Sequence, residues 1–320
     1  MDLPAGYAVR PPRPEDGPPI VAMLNEETLA LAGVATASLD WVAAPWTAPG
    51  ADLEGDFAVI VGPAGDIAGY FFLESEPPHA AVFAVGCVGL RHHGRGVGGA
   101  MLSEIERRAR LRAAGAPGDA PILRVGALTG EPHVSALLEA RGFREVRRFW
   151  AMRIVFAQPP RPPAPVPGVE LRTFRPADEA AVYACLAEAF ADHWGGDFGS
   201  REGWAHRHIH AAESYDAGLW RIAWEGGEVV GALVAELRSQ EDPRLGHVEL
   251  LGVRRAARGR GIGEALLRSA FVAFAERGQD GANLHVDSES VTGATRLYER
   301  VGMTAEPRFS TWEKPLRPAA

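Results

Sequence analysis

Lysine is almost missing from this 320-residue chain: Lys314 is the only one, so the cationic side chains are nearly all arginine. Beside abundant alanine, glycine and proline, that bias reads as high-GC codon usage rather than function. Only two cysteines occur, Cys87 and Cys185. They form neither a disulfide framework nor a metal-ligand set, and their scarcity fits a reducing cytoplasm. No apolar run is long enough to span a bilayer. The first residues carry no basic region followed by an apolar run, so no signal peptide is expected. The net charge is -8, which argues against nucleic-acid or anionic-membrane partners, because both need a basic surface. With 47% hydrophobic and 23% charged residues, the chain is an ordinary globular one, long enough for two domains that each bury a core.

What the chain does have is a repeat of about half its length. Arg10 to Asp16 recurs as Arg172 to Asp178, and Gly65 to Phe71 as Gly227 to Leu233. His93 to Gly98 recurs as Arg258 to Gly263, and Ala140 to Phe143 as Arg300 to Met303. The offset stays between 160 and 165 residues and the order is kept. A repeat this long is a duplicated domain. Between the copies, Ala157 to Gly168 is rich in proline, which removes amide donors and favours an extended spacer. The expected division is therefore a domain over 1–156, a linker over 157–168 and a domain over 169–320.

Periodicity gives a coarse reading of the second copy. Strands are expected at 169–174, 219–224, 229–237, 246–253, 283–287 and 309–314. Helices are expected at 175–190, 201–213, 261–277 and 292–301. The order is that of an α/β domain with a mixed central sheet flanked by helices, and the first copy repeats it less clearly.

In both copies a strand runs into a glycine-rich turn and then a helix. That arrangement aims free backbone N–H groups and the positive helix end at one spot, which suits a pyrophosphate. Arg254, Arg255, Arg258 and Arg260 are expected to add positive charge there. Gly94, Gly96 and Gly99 spell a dinucleotide-binding fingerprint, but Glu264 replaces the third glycine in the second copy. The motif also falls mid-domain, where a dinucleotide fold has it at the first β-α turn. A Walker loop is excluded, since no Gly-Lys-Ser/Thr follows. The pattern Gln/Arg-x-x-Gly-x-Gly/Ala is met by Arg258, Gly261 and Gly263. With Leu250 to Arg254 before it, Gly263 to Leu267 after it, and Gly293 to Met303 downstream, the second copy resembles the GNAT acetyltransferase family. The whole layout resembles tandem members of that family.

The resemblance implies two GNAT-type domains that use acetyl-CoA as cosubstrate and no metal. It implies that Leu251, Gly252 and Val253 face the pantetheine arm and that Arg258, Gly259, Arg260, Gly261, Ile262 and Gly263 hold the pyrophosphate. Ser290 stands where the family often has an asparagine near the pantetheine. His93, Gly94, Arg95, Gly96, Val97 and Gly98 are a possible second cofactor site. Amine acetylation needs one proton removed from the amine and one given to the departing sulfur. The family's strand carboxylate corresponds to Glu249, and its helix tyrosine to Tyr298. Burial among apolar neighbours is expected to raise the pKa of Glu249 and make it a better base. His247 lies on the same strand face as a second candidate. The first copy has Leu138 in place of Tyr298, no carboxylate on its strand, and His93 for the motif arginine, so the chemistry is expected in the second copy. Cys87 reads as a buried, inert thiol.

Asp192, His193 and Trp194, in a loop continuing to Gly195 and Gly196, are candidates for contact with a small-molecule amine. His206 and His210 lie one helical turn apart but lack further ligands at metal spacing. Two other classes stay open: a non-catalytic acyl-CoA sensor or scaffold, and a dinucleotide-dependent oxidoreductase. Within the leading class, a small amine, an aminoglycoside, an amino-sugar thiol precursor and a peptide N-terminus all fit as acceptor.

Overall fold

The computed structural model describes residues 3–32, 35, 37–48, 51–75, 77–116, 121–128, 132–194, 198–210, 215–239, 241–290 and 293–316. It divides into two compact units. One comprises Met1–Arg148 and Phe309–Ala320, the other Phe149–Arg308.

The first unit runs β1 (Ala8–Arg10), α1 (Gly17–Ala32), α2 (Leu39–Ala43), β2 (Phe57–Val61), β3 (Ile67–Glu74), β4 (Ala81–Val88), α3 (Val97–Arg112), β5 (Ile122–Leu128) and α4 (Pro132–Ala140). Next comes β6 (Arg144–Val155). The second unit continues with β7 (Glu170–Thr173), α5 (Glu179–Phe190), α6 (Arg201–Ala205), β8 (Arg221–Glu225), β9 (Glu228–Glu236), β10 (Leu245–Val253), α7 (Ile262–Glu276), β11 (Gly281–Asp287) and α8 (Ala294–Arg300). The last strand is β12 (Thr304–Pro315).

Within the first unit the strands pair in the order β1-β2-β3-β4-β5, and β5 is flanked antiparallel by Phe309–Pro315 of β12. Within the second the order is β7-β8-β9-β10-β11, and β11 is flanked antiparallel by 149–155 of β6. Each sheet is antiparallel apart from one parallel pair, β4 with β5 and β10 with β11. The two copies thus share one topology. The division differs from the sequence expectation in the last strand of each copy. Residues 149–155 complete the second unit's sheet and 309–315 complete the first's. The open edge of β5 or β11 needs an antiparallel partner with one apolar face. The equivalent strand of the other repeat supplies it.

The second unit's core forms where helices cover both sheet faces. A Cβ on Gly246 of β10 would run into the Phe274 ring of α7, so strand and helix pack tightly there. A Cβ on Gly252 would meet Leu186 and Ala189 of α5 at 2.9 Å. Along α7, Ile262, Leu266, Ala270 and Phe274 repeat at helical spacing and are all buried. Fully burying each large apolar side chain contributes about 1.5–3 kcal/mol, which fixes α7 and the turn that leads into it. Coarse sequence boundaries for β10, α7 and β11 hold within two residues. The 157–168 segment holds no helix or strand, and its Val166 packs against the second unit's core. No helix among the described residues is long and apolar enough to cross a membrane.

Candidate active site

The site begins where two parallel strands separate. β10 pairs with β11 only from Leu245–Val248 against Gly281–Leu284. Past Val248, the edge of β10 that faces β11 has no strand partner among the described residues, although its other edge stays paired with β9 to Val253. The register against β9 shifts between Val248 and Leu250, so Glu249 is the extra residue of a β-bulge. Gly246 faces α7 and Gly252 faces α5. Strand alternation between those fixed points places both Glu249 and Leu250 on the α5 face. The bulge therefore turns the carboxylate out at the mouth of the opening, where its side chain is 40% exposed. The polar edge of Leu251, Gly252 and Val253 lies along the same opening.

From Val253 the chain enters the glycine turn. Gly259 and Gly261 adopt φ of +77° and +85°, which favours glycine, and a Cβ on either would enter open space. Gly261 is the N-cap of α7 and offers no side chain to its amides. The amides of Ile262, Gly263 and Glu264 thus lack partners within the helix and point out of its first turn. That space and those donors fit a phosphate group. A Cβ on Gly263 would lie 3.2 Å from Leu297, so α8 packs on the start of α7 and brings Tyr298 with it.

The arginines here are not a free positive cluster. Arg254 is paired with Glu188, Arg255 with Asp192 and Arg260 with Glu225. Arg258 donates to the Val253 carbonyl at 3.1 Å and to the Ala189 carbonyl at 3.0 Å. The charges of Arg254, Arg255 and Arg260 are largely compensated, and Arg258 acts as a brace that ties the turn to its strand and to α5. The backbone amides are what the turn offers an anion.

Below Glu249 lies a polar network. His247 Nε2 is 3.2 Å from Glu249 Oε2, and His247 Nδ1 is 2.9 Å from Asn283 Oδ1. The Asn283 amide nitrogen donates to Ser239 Oγ at 2.8 Å and to Glu241 at 3.1 Å. His285 Nε2 meets the other Glu241 oxygen at 2.9 Å. Although the Glu249 side chain is partly open to solvent, the protein packed around it displaces water from the carboxylate and by itself pushes its pKa up, as the sequence suggested. The His247 hydrogen bond and charge outweigh it, joined by the charges of His208 and His285, and hold Glu249 well below the usual carboxylate range. The expected upward shift is therefore reversed. For His247, burial opposes the charged form, but Glu249 and Asn283 win and raise its pKa. His208 goes the other way: burial lowers it to about 4, leaving it neutral near neutrality.

Tyr298 is 7% exposed, and burial raises its pKa to about 12, so its hydroxyl stays protonated. Ser290 lies in the turn after β11, where its amide donates to the Asp287 carbonyl at 3.1 Å.

The first unit repeats part of this. β4 pairs with β5 only over Ala81–Ala84, so 85–88 has the same open edge. Gly94 and Gly96 have φ of +71° and +83°, and Gly96 caps α3 at Val97 as Gly261 caps α7. A Cβ on Gly98 would meet Leu137, as one on Gly263 meets Leu297. His93 Nε2 bonds the Val88 carbonyl at 2.7 Å, the same brace that Arg258 makes to Val253. Arg95 lies in the turn between Gly94 and Gly96. Leu138, 2% exposed, fills the place of Tyr298. Cys87 is not an isolated core thiol: it hydrogen-bonds Glu27 of α1.

On the acceptor side, Asp192 is engaged by Arg255. His193 bonds the Trp194 carbonyl and lies against Phe190 with ring centres 5.6 Å apart. Gly195 and Gly196 lie outside the described residues. The expected 201–213 helix is α6 followed by a π-helical turn over His206–His210, with 211–214 outside the described residues. Its His208 packs on Trp204, ring centres 5.5 Å apart. Among the described residues no group of three or more His, Cys, Asp or Glu side chains is placed to hold a metal ion. Sequence reasoning missed Asn283, His285, Ser239 and Glu241. The first two were signalled by polar residues at alternate positions of an otherwise apolar strand. Ser239 and Glu241 lie in a loop with no periodicity to mark them.

The signature of the Acetyltransferase (GNAT) family matches residues 183–303. A mycothiol acetyltransferase of Salinispora arenicola is 34% identical over 257 residues, covering 78% of this chain and 76% of that protein. One of Nocardia farcinica is 32% identical over 74% of this chain and 76% of its own. Among solved structures, a GCN5-related N-acetyltransferase from Sphaerobacter thermophilus superposes with a TM-score of 0.80 at 32% identity, over 99% of this chain and 98% of that one. A tandem GNAT protein from the clavulanic acid biosynthesis pathway shares the fold, with a TM-score of 0.73 at 16% identity over 98% of this chain and all of that one.

Proposed function

The chain belongs to the GNAT acetyltransferase family and is an acetyl-CoA-dependent N-acetyltransferase, and from that premise we propose that the second unit performs the transfer, onto the primary amine of a small molecule. The observation that carries this reading is the asymmetry of the two openings. Both units have a separated strand pair and a glycine turn, but only the second has a bulged carboxylate, Glu249, and a helix tyrosine, Tyr298, beside them. The names of the curated relatives support a compound of mycothiol metabolism as the acceptor.

Acetyl-CoA supplies the acetyl group as a thioester. The backbone of Leu251 to Val253 would bind its pantetheine arm, and the amides of Gly259 to Gly263 its pyrophosphate. Arg258 acts from behind by bracing that turn, and Ser290 closes the end of β11. Glu249, exposed at the mouth, receives the proton that the acceptor ammonium must lose before it attacks. Tyr298 holds a proton at its hydroxyl for the departing sulfur. Because burial disfavours its ionised form, that proton is present at neutral pH. His193 and Trp194 flank the acceptor side, while Asp192 orders the same loop through Arg255. In the first unit, residues 93–98 retain a CoA-binding turn without counterparts of Glu249 and Tyr298 beside it.

Glu249→Gln keeps the shape but cannot take a proton. It is expected to lower kcat by about 100-fold or more, the usual share of general base catalysis, while the melting temperature stays near that of the parent. Acetyl-CoA consumption over a panel of simple amines, amino sugars and cysteinyl amines checks both the residue and the acceptor class. Undiminished turnover by Glu249→Gln on the active amine overturns the assignment.

A further inference from the structure

We infer that Asn283 is a positioning residue that fixes the tautomer of His247, so that Glu249 and His247 work as one proton-accepting pair. The inference rests on the assignment of Glu249 as the proton-accepting carboxylate. Asn283 is 1% exposed, and its partners fix which way its amide points. Its amide nitrogen faces Ser239 Oγ and the Glu241 carboxylate. A carboxylate only accepts, so the nitrogen must point there and the amide oxygen must point at His247. That oxygen in turn only accepts, so His247 Nδ1 carries a hydrogen and Nε2 faces Glu249.

The consequence is a division of labour. Glu249 is the exposed member, with a side chain 40% accessible against 13% for His247. Beside an imidazolium the Glu249 carboxylate is favoured in its ionised form, so a proton taken up by the pair settles on the imidazole. A proton leaving the acceptor ammonium reaches Glu249 as its N–H bond breaks. It then rests on Nε2 of neutral His247, giving an imidazolium beside a carboxylate. The pair later releases that proton to water, so nothing else is consumed. The groups that face this pair are Glu236 from β9, Glu241 from the following loop, His285 from β11 and His208 from the π-helical turn. The Glu249 and Glu236 carboxylates and the Asn283 oxygen favour the imidazolium, and His208 is neutral near pH 7. With His247 already protonated, the pair is full and cannot accept. Activity therefore falls as pH drops through the pKa of the pair.

Nitrogen-15 NMR of the histidine-labelled full-length protein tests this without any acceptor, with His247 assigned by loss of its signal in His247→Gln. The expected result is a neutral form protonated at Nδ1 and a pKa above that of free histidine. Asn283→Leu should lower that pKa by about one unit and mix the tautomers. Asn283→Asp, of nearly the same shape, should raise it by about one unit; both follow from the strength of a hydrogen bond to a charged group. Ser239→Ala, which leaves the β11 residues intact, should loosen the amide and mix the tautomers more weakly. The acid limb of kcat/KM for the amine that turns over should move in step. A His247 pKa and tautomer unchanged across these variants overturns the inference, as does an acid limb that stays fixed while the pKa moves. Loss of turnover in Glu249→Gln with an unmoved His247 across the Asn283 series would leave Glu249 as base and remove only the pair.

Discussion

At the scale of residues, this site is governed by which partner each charge has. Glu249 was readable as a carboxylate on an apolar strand, but its acidity was not. Its controlling neighbours, His247 and, through it, Asn283, depend on the register between β10 and β11, which no single sequence displays. The same holds for the arginines of the turn: their spacing was visible, their carboxylate partners from α5, its following loop and β8 were not. A simpler pairing lies on α3 of the first unit. Glu104, 4% exposed, is bonded by Arg107 and then Arg108, and its pKa is lowered to about 2. A depressed carboxylate stabilises the fold above its unfolded value of 4.5 and loses that contribution as pH falls from there towards 2. Glu104→Gln should flatten the fall in melting temperature over that acid range while lowering stability at neutral pH.

At the scale of elements, the strand-turn-helix unit is the most legible part of the chain. Glycines at 259, 261 and 263 and the apolar stripe of α7 announced it, and the structure gives each glycine its reason. Gly261 needs a left-handed backbone and open space before an anion; Gly263 lets α8 pack. Gly261→Ala should cost about 1–2 kcal/mol of stability, the penalty of a left-handed L-residue. It should also weaken CoA binding, read by calorimetry, because the new methyl enters the cradle. Gly246→Ala acts by a different route. Its methyl would run into the Phe274 ring, so it should lower the melting temperature without touching CoA affinity in the surviving folded protein.

At the scale of the whole chain, the duplication was written in four matched segments, and both units have the same strand order. The ownership of the sixth strand was not written. Residues 149–155 flank β11 and 309–315 flank β5 through tertiary pairing, which the periodicity of either segment does not encode. Removal of 309–320 is expected to expose the edge of β5 and the first unit's core on which Trp312 and Leu316 pack. Hydrogen exchange should then show lost protection at β5 while β10 and β11 keep theirs. Loss confined to the second unit would contradict the exchange of strands. The retained turn at 93–98 bears on CoA stoichiometry: calorimetry should find two sites per chain in the parent, and one after substitutions that fill the Gly94–Gly96 space.

We propose that proton transfer resides in the second unit alone. The most direct test is the steady-state turnover of acetyl-CoA by the double variant Glu249→Gln, Tyr298→Phe, with CoA binding measured on the same sample. Turnover at least about 100-fold below the parent is expected, from loss of general acid and base together, with CoA still bound. Turnover within about threefold of the parent, less than 1 kcal/mol of barrier, would contradict it and move the chemistry elsewhere in the chain.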